Sequence, residues 1–118
     1  MSPSNEFKRP TVIPYSKTTP LLTHFTFDKK EYVIPTLMPN WDHSPRSGGN
    51  SVILHNSTPE AFEQHCETVL NVVKDKENKI IFLKSWNEWG EGNYMEPDLK
   101  YGKGYIHALA KALKKVFP

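Results

Sequence analysis

The chain has 118 residues, enough for one domain at most, and its 15 basic and 13 acidic residues leave a formal net charge of +2. This balance gives no electrostatic reason to expect a nucleic-acid partner, and one cysteine, Cys66, excludes an internal disulfide framework or a cysteine-based zinc site. The longest apolar run, residues 80–83, is too short to span a membrane, and residues 1–10 lack the apolar core of a secretory signal. We therefore expect a cytoplasmic protein with no membrane span.

Residues 1–31 form a proline-rich N-terminal segment. Eight of the ten prolines lie before residue 60, and four of them before residue 21. Because each proline fixes its own φ and biases the preceding residue toward extended backbone, the segment predicts irregular chain. We therefore place the start of the structured unit at residue 32, with residues 32–118 as one domain.

Two strands are predicted in that domain. Residues 32–38 are rich in β-forming side chains but are interrupted by a proline, and a long loop follows over residues 39–57. Residues 80–83 are a continuous apolar run, which is typical of a strand buried on both faces of a parallel sheet.

A helix is predicted after each strand. Thr58 supplies a hydroxyl cap and Pro59 occupies the first helical position, so a helix of about 17 residues should start there. Its apolar stripe consists of Phe62, Cys66, Val69, Leu70 and Val73. The inner side of the second helix should consist of Tyr105, Ile106, Leu109, Ala110, Leu113 and Phe117.

The order strand, helix, strand, helix predicts an α/β fold with parallel strands and right-handed crossovers. Two parallel strands do not form a stable sheet alone. We therefore expect this chain to be part of a larger α/β architecture, completed either by self-association or by a missing N-terminal portion.

The segment after the second strand, residues 85–98 (SWNEWGEGNYMEPD), combines four carboxylates with two tryptophans and a tyrosine. It follows the carboxyl end of a strand, where parallel α/β folds place their active sites. Aromatic faces beside carboxylates suit a carbohydrate, and Glu88 and Glu91 could form the carboxyl pair that glycosidic chemistry uses. Taken by itself, the same cluster also fits an ordinary loop of helix-capping and solvated acids with tryptophans from the core.

The 85–98 motif closely resembles the C-terminal signature of the WbsX-like glycosyltransferases, a family related to glycoside hydrolase family 99. Residues 39–46 (PNWDHSPR) and 55–60 (HNSTPE) also resemble that family, and the likeness covers about residues 32–113. The resemblance implies that the chain is the C-terminal βαβα portion of a (β/α)8 TIM-type barrel. Residues 32–38 would be its seventh strand and residues 79–84 its eighth.

The resemblance also implies roles for the two glutamates. In the hydrolase relatives, the residue matching Glu88 is the base at the sugar 2-hydroxyl, and the residue matching Glu91 is the general acid and then the base. The family context implies a bacterial, cytoplasmic protein of lipopolysaccharide, O-antigen or capsule biosynthesis. The parent enzyme would be either a glycosyltransferase or a retaining glycoside hydrolase, acting on an oligosaccharide or a sugar donor without a cofactor.

Seven side chains join the pair as candidate contacts to the sugar. They are Trp41, Asp42, Arg46, Trp86, Asn87, Trp89 and Tyr94. Arg46 could pair with a phosphate or with Asp42. The five histidines show no metal-ligand spacing, so no metal is expected.

A non-catalytic function is the alternative. Such a fragment would keep the sugar-binding edge of the barrel, or an interaction surface, without turnover. A quarter of a barrel lacks most of the loops that enclose a substrate, so we expect the isolated chain to be inactive even if the parent is an enzyme.

Overall fold

The computed structural model describes residues 8–118. Within that range the chain forms six strands: β1 (Thr11–Pro14), β2 (Thr36–Leu37), β3 (Val52–His55), β4 (Phe82–Leu83), β5 (Asn87–Glu88) and β6 (Asn93–Tyr94). The same range forms four α-helices: α1 (Tyr15–Thr18), α2 (Ser44–Ser47), α3 (Pro59–Val73) and α4 (Gly104–Val116). Short 3-10 turns occupy Thr19–Leu22, Gly48–Asn50 and Trp89–Glu91.

The strands form three separate pairs. β1 pairs with β3 and β2 pairs with β4, both in parallel, whereas β5 and β6 form an antiparallel hairpin. The predicted α/β class with parallel strands is therefore confirmed, and residues 8–118 do not close a barrel. In the same described range, no helix is both long enough and apolar enough to cross a bilayer.

The core lies where α3 and α4 pack on each other and on β2. α3 starts as predicted, because the Ala61 N–H donates to Thr58 Oγ1 at 3.1 Å and Pro59 needs no donor at the first helical position. Its predicted apolar stripe, Cys66 included, is buried, and Phe62 is fully buried against the Tyr105 ring at 5.7 Å. Burial of a side chain the size of Phe62 contributes roughly 1.5–3 kcal/mol to folding.

The stripe predicted for α4 is partly wrong. Tyr105, Ala108 and Ala112 are the buried residues, whereas Leu113 and Phe117 are 42% and 38% exposed. The small alanines face α3 because two helices in close contact leave little room for larger side chains. The leucine and phenylalanine instead border an open groove beside β4.

The prediction of irregular chain over residues 1–31 is wrong for residues 11–22; residues 1–7 lie outside the described range. β1 lies alongside β3, and Tyr15 of α1 is fully buried, its hydroxyl donating to the Met38 carbonyl at 2.5 Å. The loop predicted over residues 39–57 likewise contains α2 and β3. Proline restricts φ, but a segment that contains proline can still pair as an extended strand at the edge of a sheet, which is where β1 lies.

The strand predicted over residues 32–38 is reduced to β2. The Val33 carbonyl accepts from the Lys76 ammonium at 2.7 Å and its N–H donates to the Lys30 carbonyl, so both groups are used outside the sheet. The prediction that residues 80–83 are buried on both faces is also wrong, since Ile80 and Phe82 are 49% and 58% exposed.

Candidate functional site

The site forms where the segments that follow β2 and β4 meet. The two strands are parallel, so the segments that leave their carboxyl ends emerge at the same edge. The first segment, residues 39–46, leads into α2, and the second, residues 85–98, contains the β5–β6 hairpin. Two of the three parts of the sequence that carry the resemblance, residues 39–46 and 85–98, are therefore neighbours in space.

Two asparagines hold these segments together. The Asn40 side chain pairs with the Tyr94 backbone as a strand would, accepting from its N–H at 2.8 Å and donating to its carbonyl at 3.2 Å. Asn93 is fully buried, and its amide donates to the Asn40 carbonyl at 2.6 Å and to the Lys84 carbonyl at 2.9 Å. Sequence reasoning missed both residues, because an asparagine in a loop gives no local sign that it will bind backbone more than 50 positions away.

Gly92 allows the second contact between the segments. Its φ is +55°, and a Cβ at this position would lie 2.7 Å from the Asp42 carbonyl oxygen and 2.8 Å from the Asp42 nitrogen. The Asp42 N–H donates to the Glu91 carbonyl at 3.1 Å beside it. Only glycine fits both the left-handed backbone and this close approach.

The side chain of Arg46 joins the two predicted catalytic glutamates. Its Nη1 donates to Glu91 Oε1 at 3.2 Å and its Nη2 donates to Glu88 Oε1 at 3.3 Å. The Arg46 side chain is 54% exposed, Glu88 41% and Glu91 21%, so the cluster opens to solvent. Gly90 makes room for it, since a Cβ there would lie 2.6 Å from Arg46 Nη2. Arg46 thus binds both glutamates rather than Asp42, the partner considered from sequence.

Asp42 has a local structural contact. Its Oδ1 accepts from the Ser44 N–H at 2.9 Å and from the Ser44 hydroxyl, which starts α2 two residues ahead of Arg46. A carboxylate at this position shapes the turn that delivers the guanidinium to the glutamates.

Trp41 and His43 lie beside the carboxylates. Their rings stack with centroids 5.5 Å apart, and the Lys84 ammonium lies 5.5 Å from the Trp41 ring centroid. His43 Nε2 is 3.8 Å from Glu91 Oε1. Sequence reasoning did not select His43, although its position two residues after Trp41 in an extended segment could have placed it on the same side.

Trp89 and Tyr94 form a stacked pair in the hairpin, with ring centroids 3.7 Å apart and planes 15° from parallel. The Trp89 indole donates to Glu96 Oε1 at 2.9 Å, and the Tyr94 hydroxyl donates to Asp98 Oδ2 at 2.9 Å. Burial, together with the hydrogen bond to Asp98, raises the pKa of Tyr94. The pair therefore forms a polar-tipped aromatic wall.

The other two candidates, Trp86 and Asn87, lie at the start of the hairpin. Trp86 is 49% exposed, and its carbonyl accepts from the Met95 and Glu96 N–H groups. Asn87 is exposed and pairs with Tyr94 across the hairpin. The Trp86 ring is therefore open to solvent on the same loop as the glutamates.

Asp98 does not cap α4. Its Oδ1 accepts from the Tyr101 N–H at 2.6 Å, which closes a turn before the helix, and Lys103 precedes α4 without a side-chain cap. His65 is 97% buried in α3. In residues 8–118 no three histidine, cysteine, aspartate or glutamate side chains converge as metal ligands.

Comparison with known proteins gives two matches. The model of the family described as glycosyltransferase WbsX matches residues 2–109, which extends the likeness upstream of the expected residue 32. The chain is also 29% identical over 90 residues to the uncharacterized protein WxcX from two strains of Xanthomonas campestris pv. campestris, one of them B100. That alignment covers 73% of this chain and 13% of WxcX, so the chain spans only a small part of the curated relatives it matches. No solved structure matches the chain.

Proposed function

The chain belongs to the glycosyltransferase WbsX family, and from that premise we propose that it carries the catalytic carboxylate pair of a carbohydrate-active enzyme. The reaction is the formation or cleavage of a glycosidic bond during the biosynthesis of a bacterial surface polysaccharide such as O-antigen or capsule. The observation that carries the proposal is the contact of one guanidinium, that of Arg46, with both Glu88 and Glu91.

Arg46 supports the chemistry by holding the two carboxyl groups close together in the open site. Without a cation between them, two adjacent carboxylates would repel each other and spread apart. The planar guanidinium offers donors to both at once, which a lysine ammonium does less well. The proposed reaction needs the two carboxyl groups on either side of one anomeric carbon, and this arrangement keeps them close while the site is open.

In the proposed reaction the two glutamates have different roles. Glu88 takes the proton of the sugar 2-hydroxyl, whose oxygen attacks the anomeric carbon as the glycosidic bond breaks, giving a 1,2-anhydro sugar. Glu91 gives its proton to the departing oxygen and then takes one from the incoming hydroxyl, while Glu88 returns its proton to the 2-oxygen. An incoming water gives hydrolysis and an incoming sugar hydroxyl gives transfer, so the acceptor decides the class of enzyme.

The proposal includes a larger barrel around this chain. Support comes from β2 and β4, which are parallel neighbours with the candidate site at their carboxyl ends, as in (β/α)8 enzymes. Exposed apolar side chains on β4 and on the segment just before it, Phe82 and Ile80, fit a sheet that continues into further strands of the same protein or a second copy. A cytoplasmic location remains part of the proposal.

The test is an activity assay on the complete gene product. Labelled oligosaccharides are incubated with a panel of nucleotide-sugar donors, or alone in 18O-labelled water, and the products are identified by mass spectrometry. We expect Glu91→Gln and Glu88→Gln each to lower turnover by about 100-fold or more, as for loss of a general acid or base. Glu77→Gln, at an exposed glutamate after α3, is the matched control. Full turnover in Glu91→Gln would refute the proposed roles.

Sugar binding without turnover is the second candidate, and a specific contact favours it. Arg46 engages Oε1 of both carboxylates, so a sugar hydroxyl or water that binds between them must compete with the guanidinium. A protein that binds oligosaccharides but converts none of them, with or without Glu88 and Glu91, would establish this alternative.

A further inference from the structure

A cleft of about 340 Å³ lies next to the glutamate pair but does not contain it. Its walls come from three tyrosines, from β3 with the turn after it, and from the loop before α4. The side chains that matter here are Tyr94, Tyr101, Tyr105, Asp42, Asn56 and Lys100. This volume is at the lower end of the range found for small-molecule sites.

The cleft and the glutamate cluster both border one segment, residues 40–43. Trp41 and His43 stack on each other, and His43 faces Glu91, so this stacked pair borders the glutamates. Asn40, Trp41 and Asp42 all line the cleft, so Trp41 borders both the cleft and the glutamate cluster.

The segment is hydrogen-bonded on both edges, so it connects the cleft to the loop that carries the glutamates. On one edge the Leu54 N–H donates to the Trp41 carbonyl at 2.8 Å, which attaches the segment to β3. On the other edge the Asp42 N–H donates to the Glu91 carbonyl, so the floor of the cleft is one hydrogen bond away from a proposed catalytic residue.

The tyrosine wall is preformed. The Tyr105 ring lies at 78° to Tyr94 and at 86° to Tyr101, with centroids 6.4 Å and 5.8 Å apart. The Tyr105 hydroxyl donates to the Ser57 carbonyl at 2.6 Å, which ties α4 to the turn after β3 across the cleft. Walls that are fixed before binding lower the entropy cost of binding.

Asn56 is the unusual residue of the rim. Its φ is +59°, a left-handed backbone that asparagine adopts more readily than other non-glycine residues, and its side chain is exposed. The amide adds a donor and an acceptor above the aromatic wall, which is the combination that vicinal sugar hydroxyls require.

The charges of the cleft decide among ligand classes. Lys100 supplies one cation and Asp42 one carboxylate, so the lining carries no excess of positive charge for a polyphosphate. Aromatic rings with an amide and a balanced charge pair suit an uncharged polar ring. On this basis we propose that the cleft is a second carbohydrate site, which binds a neutral sugar unit of the polysaccharide next to the unit that reacts at the glutamates.

This inference rests on the proposed function, and its test is a binding measurement that needs no turnover. The 118-residue chain is labelled with 15N, a dispersed 1H–15N spectrum verifies that it is folded, and it is titrated with methyl glycosides of glucose, galactose, mannose, N-acetylglucosamine and rhamnose. We expect at least one glycoside to shift the amides of Asn56, Lys100 and Tyr101 saturably. Asn56→Gly, which keeps the left-handed backbone, and Tyr101→Leu should each weaken that binding at least five-fold. Tyr32→Leu, at a tyrosine outside the cleft, should not change it.

The outcomes separate the two proposals. Saturable shifts confined to Glu88, Gly90 and Glu91, or no shift with any glycoside, would overturn the second site. So would unchanged binding in Asn56→Gly and Tyr101→Leu. If the second site is overturned in this way but the complete gene product has an activity that Glu91→Gln abolishes, the proposed function stands without the cleft. If the cleft binds a glycoside and the complete gene product has no activity, the cleft stands and the catalytic proposal fails.

Discussion

His65 should make the folding stability of this chain depend on pH. The side chain is 97% buried in α3, and its Nε2 accepts from the Met38 N–H at 3.2 Å, at the end of β2 where the site loop begins. Burial lowers the pKa of His65 from 6.5 to about 4. Protonation would put a charge into the core and remove the acceptor for Met38, so the folded chain resists it.

The direction and size of this change in folding stability follow from the linkage between proton binding and folding. As pH falls through 6.5 the unfolded chain binds the proton first, so the contribution is complete above pH 6.5 and is lost progressively toward pH 4. A histidine with pKa 6.5 unfolded and about 4 folded loses about 2 kcal/mol of stability between pH 7 and pH 5. The neighbouring Tyr15 and Cys66 do not interfere, because burial raises the pKa of both above their usual values.

The assay is urea unfolding at a series of pH values from 7 to 5, with the free energy of unfolding extrapolated to water. His65→Gln keeps an acceptor for the Met38 N–H without a titrating ring. Its free energy of unfolding should therefore fall by about 2 kcal/mol less between pH 7 and pH 5 than that of the unaltered chain. His107→Gln, at an exposed histidine of α4, should behave like the unaltered chain. Equal pH dependence in the unaltered chain and His65→Gln would refute the reasoning, as would an NMR titration of the His65 ring with a midpoint near 6.5.

Three further substitutions should lower the free energy of unfolding, measured in urea. Gly92→Ala should cost about 1–3 kcal/mol for its positive φ and more for the collision with Asp42. Thr58→Ala should cost about 1 kcal/mol because α3 loses its cap. Lys76→Met should cost about 1–3 kcal/mol because two backbone carbonyls lose the buried ammonium that donates to them.

Each of these has a matched control. Gly102→Ala has φ +55° but open space around the new methyl group, so an equal loss there would contradict the collision argument for Gly92. Thr58→Ser should keep the cap, and a loss as large as that of Thr58→Ala would rule out capping as the cause. Lys74→Met, at an exposed lysine, should have little effect, and equality with Lys76→Met would contradict the role of the buried ammonium.

The sequence by itself determined the features whose signals are local. The cap at Thr58, the proline after it and the apolar stripe through Phe62 and Val73 lie within one helix, so they predicted α3 correctly. The alternation of strands and helices was enough to predict the α/β class with parallel strand pairs. The 85–98 motif was enough to identify the family, because it is long and its spacing is distinctive.

The tertiary structure decided what depends on residues distant in sequence. Asn40 pairs with Tyr94 across 54 positions and Arg46 reaches Glu91 across 45, and no local pattern says which loops will meet. β1 was missed for the same reason, since an extended proline-rich segment becomes a strand only when a partner such as β3 lies beside it. Backbone propensity acts over a few residues, whereas polar side chains find partners only after the chain has folded. Glu88, Glu91 and Arg46 could each be named as candidates from the sequence, but not the contacts that join them.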